Sequence, residues 1–161
     1  MIRAAVPADC AGIATIWNPI IRDTAVTFTT AEKTPEGLAA TLEEKAAAGH
    51  PFLVAVEEEL LGFATYGAFR NGPGYARTME HTIILAPAAR GRGVGRTLMA
   101  AIEAHAEARG VHSLWAGVSA ENPAGRAFHA ALGYAEIAVL PEVGWKFGRW
   151  MDLVLMQKIL C

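Results

Sequence analysis

Two spacings of apolar residues alternate along the 161-residue chain, one typical of helices and the other typical of strands. Near the start, four large apolar residues stand three or four positions apart: Ile13, Ile16, Trp17 and Ile20. They follow Pro7, and we therefore predict a first amphipathic helix here. The tripeptide Thr34–Glu36 has the residue types of a helix N-cap, first position and acidic first turn, which predicts a second helix ending near Gly49.

The rest of the chain alternates strand-like runs with two further helical segments. A hairpin is predicted from Leu53–Val56 and Leu60–Phe69. The later predicted elements are strand Met79–Leu85, helix Arg96–Arg109, strand Ser113–Val118, helix Asn122–Leu132 and strands Tyr134–Leu140 and Trp150–Ile159. This order predicts an α/β fold of the mixed, α+β kind: a twisted central sheet of six to seven strands with helices on both faces. No linker or repeat divides the chain, so we expect one domain over residues 1–161.

Composition excludes several classes of protein. With 53% hydrophobic and 19% charged residues, the chain is not disordered. A formal charge of −2 gives no overall attraction to nucleic acid or to an anionic membrane, so neither is an expected partner. No apolar run approaches the roughly 18 residues of a membrane span. Two cysteines, Cys10 and Cys161, cannot build a disulfide framework, and we therefore expect a cytoplasmic protein.

The most informative segment is Arg90–Arg96, RGRGVGR, between a predicted strand and a predicted helix. Its glycines allow a tight turn and expose backbone N–H groups, and a helix start carries partial positive charge. With three arginines, these features predict an anion site suited to a pyrophosphate. A Walker loop would need glycine at position 90 and lysine at 96, and a dinucleotide fingerprint from Gly91 would need glycine at 96, so neither fits. The alternative is a plain strand-to-helix turn with solvated arginines.

Arg90, Gly93 and Gly95 form an Arg-x-x-Gly-x-Gly pattern that resembles the acetyl-coenzyme A signature of the GCN5-related N-acetyltransferase (GNAT) superfamily. The segments Asn122–His129 and Leu132–Tyr134 strengthen the resemblance, and the order of elements agrees with that fold. The resemblance implies acetyl-CoA as co-substrate and a splayed strand whose backbone binds it. The coenzyme-binding residues that it implies are Ile84, Leu85, Arg90, Gly91, Arg92, Gly93, Val94, Gly95, Arg96, Asn122 and Arg126.

Three further segments resemble the phosphinothricin/methionine sulfoximine acetyltransferase subfamily. They are Thr24–Phe28, Thr78–Thr82 and, most specifically, Gly144–Asp152. The resemblance implies direct acetyl transfer, within a ternary complex, to the α-amino group of a small amino acid such as methionine sulfoximine, methionine sulfone or phosphinothricin. It also implies a homodimer, which agrees with the apolar character of the chain's last segment.

Amide formation from a thioester needs a base, because an amino group is mostly protonated at neutral pH. The subfamily resemblance places that base at Glu80, with an exposed strand carboxylate as the alternative. His81 alternates to the opposite strand face, and we interpret it as structural. Either His129 or solvent is the expected proton donor to the thiolate; in the helix, His129 shares a face with Asn122. Neither cysteine is placed for a covalent acyl-enzyme.

Recognition of an amino acid requires a cation for its carboxylate and an apolar wall for its side chain. Arg70 is the predicted carboxylate clamp, because guanidinium binds carboxylate through two hydrogen bonds. Phe28 and Tyr75 are the predicted walls, and Lys146 is a predicted rim residue. Ala76 stands where some relatives have arginine, with Arg77 one residue later, so another substrate stays open.

Other chemistry finds little support. The five histidines lack metal-ligand spacing, and we expect no metal. Two alternative functions remain: the same transfer to a polyamine, an aminoglycoside or a protein N-terminus, and a coenzyme-binding module without catalysis.

Overall fold

The computed structural model describes residues 1–161 and contains one seven-stranded sheet, in the order β1-β2-β3-β4-β5-β7-β6. The strands are β1 (Ile2–Ala4), β2 (Phe52–Val56), β3 (Leu60–Ala68), β4 (Thr78–Leu85), β5 (Ser113–Ser119), β6 (Ala135–Lys146) and β7 (Arg149–Ile159). All neighbouring strands are antiparallel except β4 and β5, which are parallel. The predicted mixed sheet of six to seven strands is confirmed.

Four helices accompany the sheet: α1 (Cys10–Asp23), α2 (Pro35–Ala48), α3 (Val94–Ala108) and α4 (Pro123–Ala131). Helix α2 begins and ends as its sequence predicts. The Thr34 hydroxyl accepts a hydrogen bond from the Gly37 N–H at 3.0 Å, an N-cap that stabilises a helix by about 1 kcal/mol. At the other end, Gly49 adopts the left-handed conformation and closes the last turn.

The helices cover both faces of the sheet, as predicted. On one face, α3 buries Leu98 and Ile102 completely, and Phe128 of α4 packs beside them. On the other face, α1 and α2 bury Ile13 and Leu38 against β2 and β3. Complete burial of one such aliphatic side chain contributes about 1.5–3 kcal/mol. The sheet is thus held from both sides, and its middle strands can carry a site.

Strands β4 and β5 separate partway along their length. Their pairing ends at His81 and Ala116. Strand β4 nevertheless stays paired with β3 as far as Leu85, and β5 stays paired with β7 through Ser119. Since each strand keeps only its outer neighbour, the two diverge and leave an opening in the middle of the sheet, into which alternate backbone groups point without a strand partner. The splayed strand implied by the family resemblance is therefore present.

The structure corrects several element boundaries. Strand β1 was not predicted, and α3 begins at Val94 rather than Arg96. Strand β6 continues to Lys146, so the segment after Leu140 is one arm of a hairpin whose turn is Phe147–Gly148. None of the helices combines the length and the apolar composition that a membrane-spanning helix requires.

Candidate active site

A cavity of about 230 Å³ occupies the opening between β4 and β5. Its walls come from α1, the segment after α1, both diverging strands, α4 and β7. The lining residues are Trp17, Val26, Thr27, Phe28, His81, Thr82, Ile83, Ile84, Ala116, Gly117, Val118, Ser119, Asn122, His129 and Leu153. Because the cavity lies where two strands part, it is lined by side chains from both faces of the sheet and connects them.

Glu80 lies beside this cavity on the face covered by α1. On β4 it pairs with Gly67 of β3 on one side and with Trp115 of β5 on the other. Its carboxyl passes over Gly117, a lining residue, with Oε2 3.6 Å from the position that a Cβ at residue 117 would take. Although the side chain as a whole is exposed, partial burial of the carboxylate raises the pKa of Glu80. A carboxylate with a raised pKa beside a cavity is suited to accept a proton.

His81 and His129 form a buried hydrogen-bonded pair on the opposite face. The Nε2 atoms of the two rings are 2.9 Å apart, and Nδ1 of His129 lies 2.7 Å from the Gly125 carbonyl oxygen. A carbonyl only accepts, so Nδ1 of His129 carries the proton, and its Nε2 accepts from Nε2–H of His81. Burial lowers the pKa of His81 to about 3 and also lowers the pKa of His129. Both rings are therefore neutral near pH 7.

This pair bears on the role expected for His129. With one nitrogen bonded to a carbonyl and the other to His81, the neutral His129 ring has no free N–H to offer a thiolate. Of the two proton sources expected, the geometry favours solvent. His81 faces away from Glu80, as the strand alternation predicts, and its Nδ1 is buried without a partner. The ring of Tyr134 packs against both imidazoles, with centroids 5.5 and 5.3 Å away.

The glycine loop lies where β4 leaves the sheet. Gly91 and Gly93 have positive φ angles of 73° and 79°, which side chains rarely tolerate. Gly93 is the N-cap of α3 and provides no side-chain acceptor, so the first N–H groups of that helix are open to a ligand. Gly95 packs under Phe128 and Leu85, where a Cβ would come within 3.0 and 3.1 Å of their side chains. The loop is thus held in place while its outer face stays bare.

The charged residues around this loop differ in what they contact. Arg90 and Arg96 are exposed and form no ion pair within the chain. Arg92 pairs with Glu57 at 2.9 Å. Arg126, expected at the coenzyme, is bound through two hydrogen bonds of 2.7 and 3.0 Å to Glu136. Bare amides and two unpaired guanidiniums fit a pyrophosphate.

Asn122 both caps helix α4 and lines the cavity. Its Oδ1 accepts from the Gly125 N–H at 3.0 Å and caps α4, and the side chain also lines the cavity. Because the cap uses only the oxygen, the amide N–H₂ can donate to a ligand. Ile84, another expected coenzyme residue, lines the cavity, and Leu85 follows it at the end of β4. A pantetheine arm along β4 would meet these three residues.

The predicted substrate residues are placed differently from one another. Phe28 lines the cavity, as a wall residue should. Arg70 and Tyr75 are exposed in the loop before β4 and do not line it; the Arg70 guanidinium lies 6.0 Å from the Phe69 ring centre. Lys146 is not at the rim, because its side chain is buried and its ammonium donates to the carbonyls of Thr24 and Thr27.

Several lining residues were not predicted as part of a site. The apolar spacing predicts Trp17 as core of the first helix and gives Gly117 and Leu153 no role beyond their strands, while Thr82 belongs to the subfamily-like segment without a predicted site role. The one available signal was Gly117, because a glycine inside a strand often marks a close approach. No group of three or more histidine, cysteine or acidic residues is arranged to hold a metal ion.

Comparison with known proteins gives a consistent family. Residues 17–134 match the Acetyltransferase (GNAT) family. Over 157 residues the chain is 36% identical to the L-methionine sulfoximine/L-methionine sulfone acetyltransferase of Salmonella typhimurium, covering 97% of this chain and 92% of that protein. A ribosomal-protein-alanine N-acetyltransferase from Brucella melitensis matches with a TM-score of 0.95 and 40% identity over 99% of both chains. A phosphinothricin acetyltransferase from Sinorhizobium meliloti, solved in complex with acetyl-CoA, matches with a TM-score of 0.93 and 30% identity over 99% of this chain and 88% of that one.

Proposed function

This chain belongs to the GNAT family and is an acetyl-CoA-dependent N-acetyltransferase, and on that basis we propose that its acceptor is the α-amino group of a small amino acid. Methionine sulfoximine, methionine sulfone and phosphinothricin are the proposed acceptors, because relatives that cover 97% and 99% of the chain are named for these compounds. The observation that carries the proposal is the opening between β4 and β5, with Glu80 beside it and an uncapped glycine turn at its end.

Acetyl-CoA supplies an activated acetyl group as a thioester. We place its pyrophosphate on the N–H groups of the glycine loop, with Arg90 and Arg96 adding charge and Arg92 nearby. The pantetheine arm then follows the unpaired length of β4, where Asn122 donates from its amide. Backbone N–H groups near Ile84 that point into the opening are positioned to bind the thioester oxygen as it becomes negative.

In the proposed reaction, Glu80 accepts a proton from the substrate ammonium, directly or through one water. The free amine attacks the thioester carbonyl carbon, so that a C–N bond forms and the C–S bond breaks in a ternary complex. The departing thiolate, whose conjugate acid has a pKa of about 8.5, takes its proton from solvent. We propose that His129 holds α4 and β4 in register rather than donating this proton.

The amine side of the cavity provides an apolar wall. Trp17 of α1 and Phe28 in the following segment line it, and both suit an unbranched side chain. We propose that Arg70 binds the substrate carboxylate from the loop before β4, with Tyr75 of the same loop covering the acceptor. Since both are exposed, their role depends on how this loop meets the substrate.

We also propose a homodimer. The hairpin of β6 and β7 exposes large apolar side chains, and those of Trp145, Phe147 and Trp150 are each more than half exposed. A contiguous apolar patch of this kind is typical of a protein interface. Sedimentation equilibrium should give a mass near twice 17.1 kDa, and the negative charge that Trp150→Glu introduces into this apolar patch should shift it toward the monomer.

One assay tests the acceptor class: release of free thiol from acetyl-CoA over a panel of amino acids, polyamines and short peptides. We expect methionine sulfone and methionine sulfoximine to give the highest kcat/KM. A peptide with N-terminal alanine belongs on the panel, because the Brucella structure named for acting on ribosomal-protein alanine matches the whole chain. Turnover confined to peptides or polyamines would overturn the amino-acid proposal.

A further inference from the structure

A buried lysine on strand β6 holds the segment between α1 and α2 by hydrogen bonds to its backbone. Only 2% of Lys146 is exposed, although it stands near the end of strand β6. Its ammonium donates to the carbonyl oxygens of Thr24 and Thr27 at 2.6 and 2.7 Å. No carboxylate pairs with it, and burial lowers the pKa of the Lys146 ammonium. Burying a cation without a counter-charge costs free energy, so the burial of Lys146 indicates that its ammonium has a structural role.

The same segment makes a second contact with β6, at Gly144, two residues before Lys146. The Phe28 ring lies directly over Gly144, where a Cβ would come within 2.4–2.7 Å of three ring carbons. Any larger residue at position 144 would push the ring away from β6 and therefore toward the cavity that it lines. Gly144 and Lys146 together fix both the backbone and the aromatic side chain of this segment.

The segment depends on these contacts because it belongs to no helix or strand. Residues 24–28 supply three consecutive lining residues, Val26, Thr27 and Phe28, yet lie in irregular structure. The local hydrogen bonds there come from the Thr24 hydroxyl, which donates to the Ile20 carbonyl and accepts from the Val26 N–H. Nothing in the segment itself sets the position of Thr27 or Phe28 relative to the sheet.

We propose that Lys146 and Gly144 are positioning residues that fix residues 24–28 as the amine-side wall and so determine which acceptor side chains fit. The inference rests on the proposed function for the identity of the acceptor. Lys146 contacts neither substrate nor coenzyme; it acts through the two carbonyls that it binds. Because the wall lies on the amine side, its displacement affects acceptor binding and leaves coenzyme binding intact.

The principal test is Lys146→Met, which keeps the length of the side chain and removes the donors. Lys45→Met is the matched control, since the Lys45 ammonium also donates to a backbone carbonyl, that of Tyr66 at 2.7 Å, but lies outside the cavity. We expect Lys146→Met to raise KM for methionine sulfone about ten-fold or more, as misplacement of a binding wall does. KM for acetyl-CoA should stay within about two-fold, and Lys45→Met should change neither KM.

A second readout needs no substrate. Chymotrypsin cleaves after aromatic residues, and Phe28 packed on Gly144 is protected. Lys146→Met should accelerate cleavage after Phe28, whereas Lys45→Met should not. If the wild type acetylates only other amines, the proposed acceptor fails, but the proteolysis arm and KM for the amine that is used still test Lys146.

Gly144→Ala provides a route that leaves Lys146 in place and covers the case in which Lys146→Met does not fold. The added methyl should displace the Phe28 ring and raise KM for the acceptor, and this effect should vanish when Phe28→Ala is introduced as well. The positioning role is overturned if Lys146→Met behaves like Lys45→Met in either KM or cleavage. It is equally overturned if the Gly144→Ala effect persists without the Phe28 ring.

Discussion

The two sides of the cavity are built in different ways. The proposed coenzyme side combines one short run of chain, Arg90–Arg96, with the start of α4, and it presents mainly backbone N–H groups. The proposed amine side gathers Trp17, Phe28, Glu80 and Leu153 from four separate parts of the chain and presents side chains. The first side comes mostly from one short run of chain, whereas the second is assembled from residues far apart in sequence.

This difference explains how such a fold can keep one donor and change its acceptor. Backbone groups on a glycine turn are insensitive to most substitutions, because their geometry depends on φ and ψ rather than on side-chain identity. The amine wall depends on packing between distant segments, so a change such as Gly144→Ala alters it from a distance.

The largest effect is expected on the amine side, from Glu80→Gln. Removing a general base typically lowers the rate by about 10²–10⁴-fold. KM for acetyl-CoA should change little. In the wild type, kcat/KM should rise with pH as the Glu80 carboxyl, whose pKa is raised, loses its proton; this limb should disappear in Glu80→Gln. A pH profile of kcat/KM for the acceptor measures both.

Glu107→Gln is the control for loss of one negative charge, since Glu107 is exposed near the C-terminal end of α3, away from the glycine loop, and does not line the cavity. It should match the wild type at every pH. Full activity of Glu80→Gln with an unchanged profile would remove Glu80 from the mechanism.

On the coenzyme side, Gly93→Val should raise KM for acetyl-CoA about ten-fold or more, because a β-branched residue at φ 79° costs roughly 1–2 kcal/mol and covers the bare amides. KM for the acceptor should be less affected. Gly110→Val is a matched control at the other end of α3: its φ is 74° and a Cβ there also meets nothing within 4 Å. Equal KM values in the two variants would mean that the effect is strain alone, and steady-state kinetics with both substrates decides it.

The glycine turn of the proposed coenzyme side is also the part whose local structure the sequence predicts well. A glycine turn before an amphipathic helix is a local feature, and helix periodicity carries the register. The amine side is not predictable in this way, because no local rule relates Phe28 to Gly144. Lys146 illustrates the limit: a lysine near a strand end is usually exposed, and its burial depends on the carbonyls of Thr24 and Thr27, which are distant in sequence.

The elements of the fold also divide into those with a clear local sequence pattern, which were predicted, and those without one, which were not. Strands and helices with clear periodicity were predicted, whereas β1 has only three residues and offers too little pattern. The β6–β7 turn was missed because Phe147 adopts a positive φ of 54° beside Gly148, and an aromatic residue there is not a turn signal.

His81 lines the cavity from β4, and its protonation should make the free energy of unfolding depend on pH. Its pKa of about 3 in the folded state lies below the value of about 6.5 in an unfolded chain. Between these values the unfolded state binds the extra proton, so stability is full above pH 6.5 and falls as pH is lowered. At pH 5 this amounts to roughly 2 kcal/mol relative to pH 7.5.

His81→Gln should reduce that difference, because glutamine does not titrate and keeps a donor toward Nε2 of His129. Urea unfolding at pH 7.5 and pH 5 measures it. His129 also has a lowered pKa, so part of the dependence should remain. An identical pH dependence in the variant would show that His81 is not the buried group that resists protonation.

The smallest effect concerns Asn122, whose oxygen serves the fold and whose nitrogen is free for the coenzyme. Asn122→Ala should lose both functions: about 1 kcal/mol of stability from the N-cap and a few-fold in KM for acetyl-CoA from one lost hydrogen bond. Asn122→Asp should keep the cap, because a carboxylate still accepts from the Gly125 N–H, but it cannot donate to pantetheine. Thermal unfolding and KM for acetyl-CoA should therefore separate in Asn122→Asp and change together in Asn122→Ala. A KM in Asn122→Asp equal to that of the wild type would assign this residue to the helix alone and leave the coenzyme side to backbone groups.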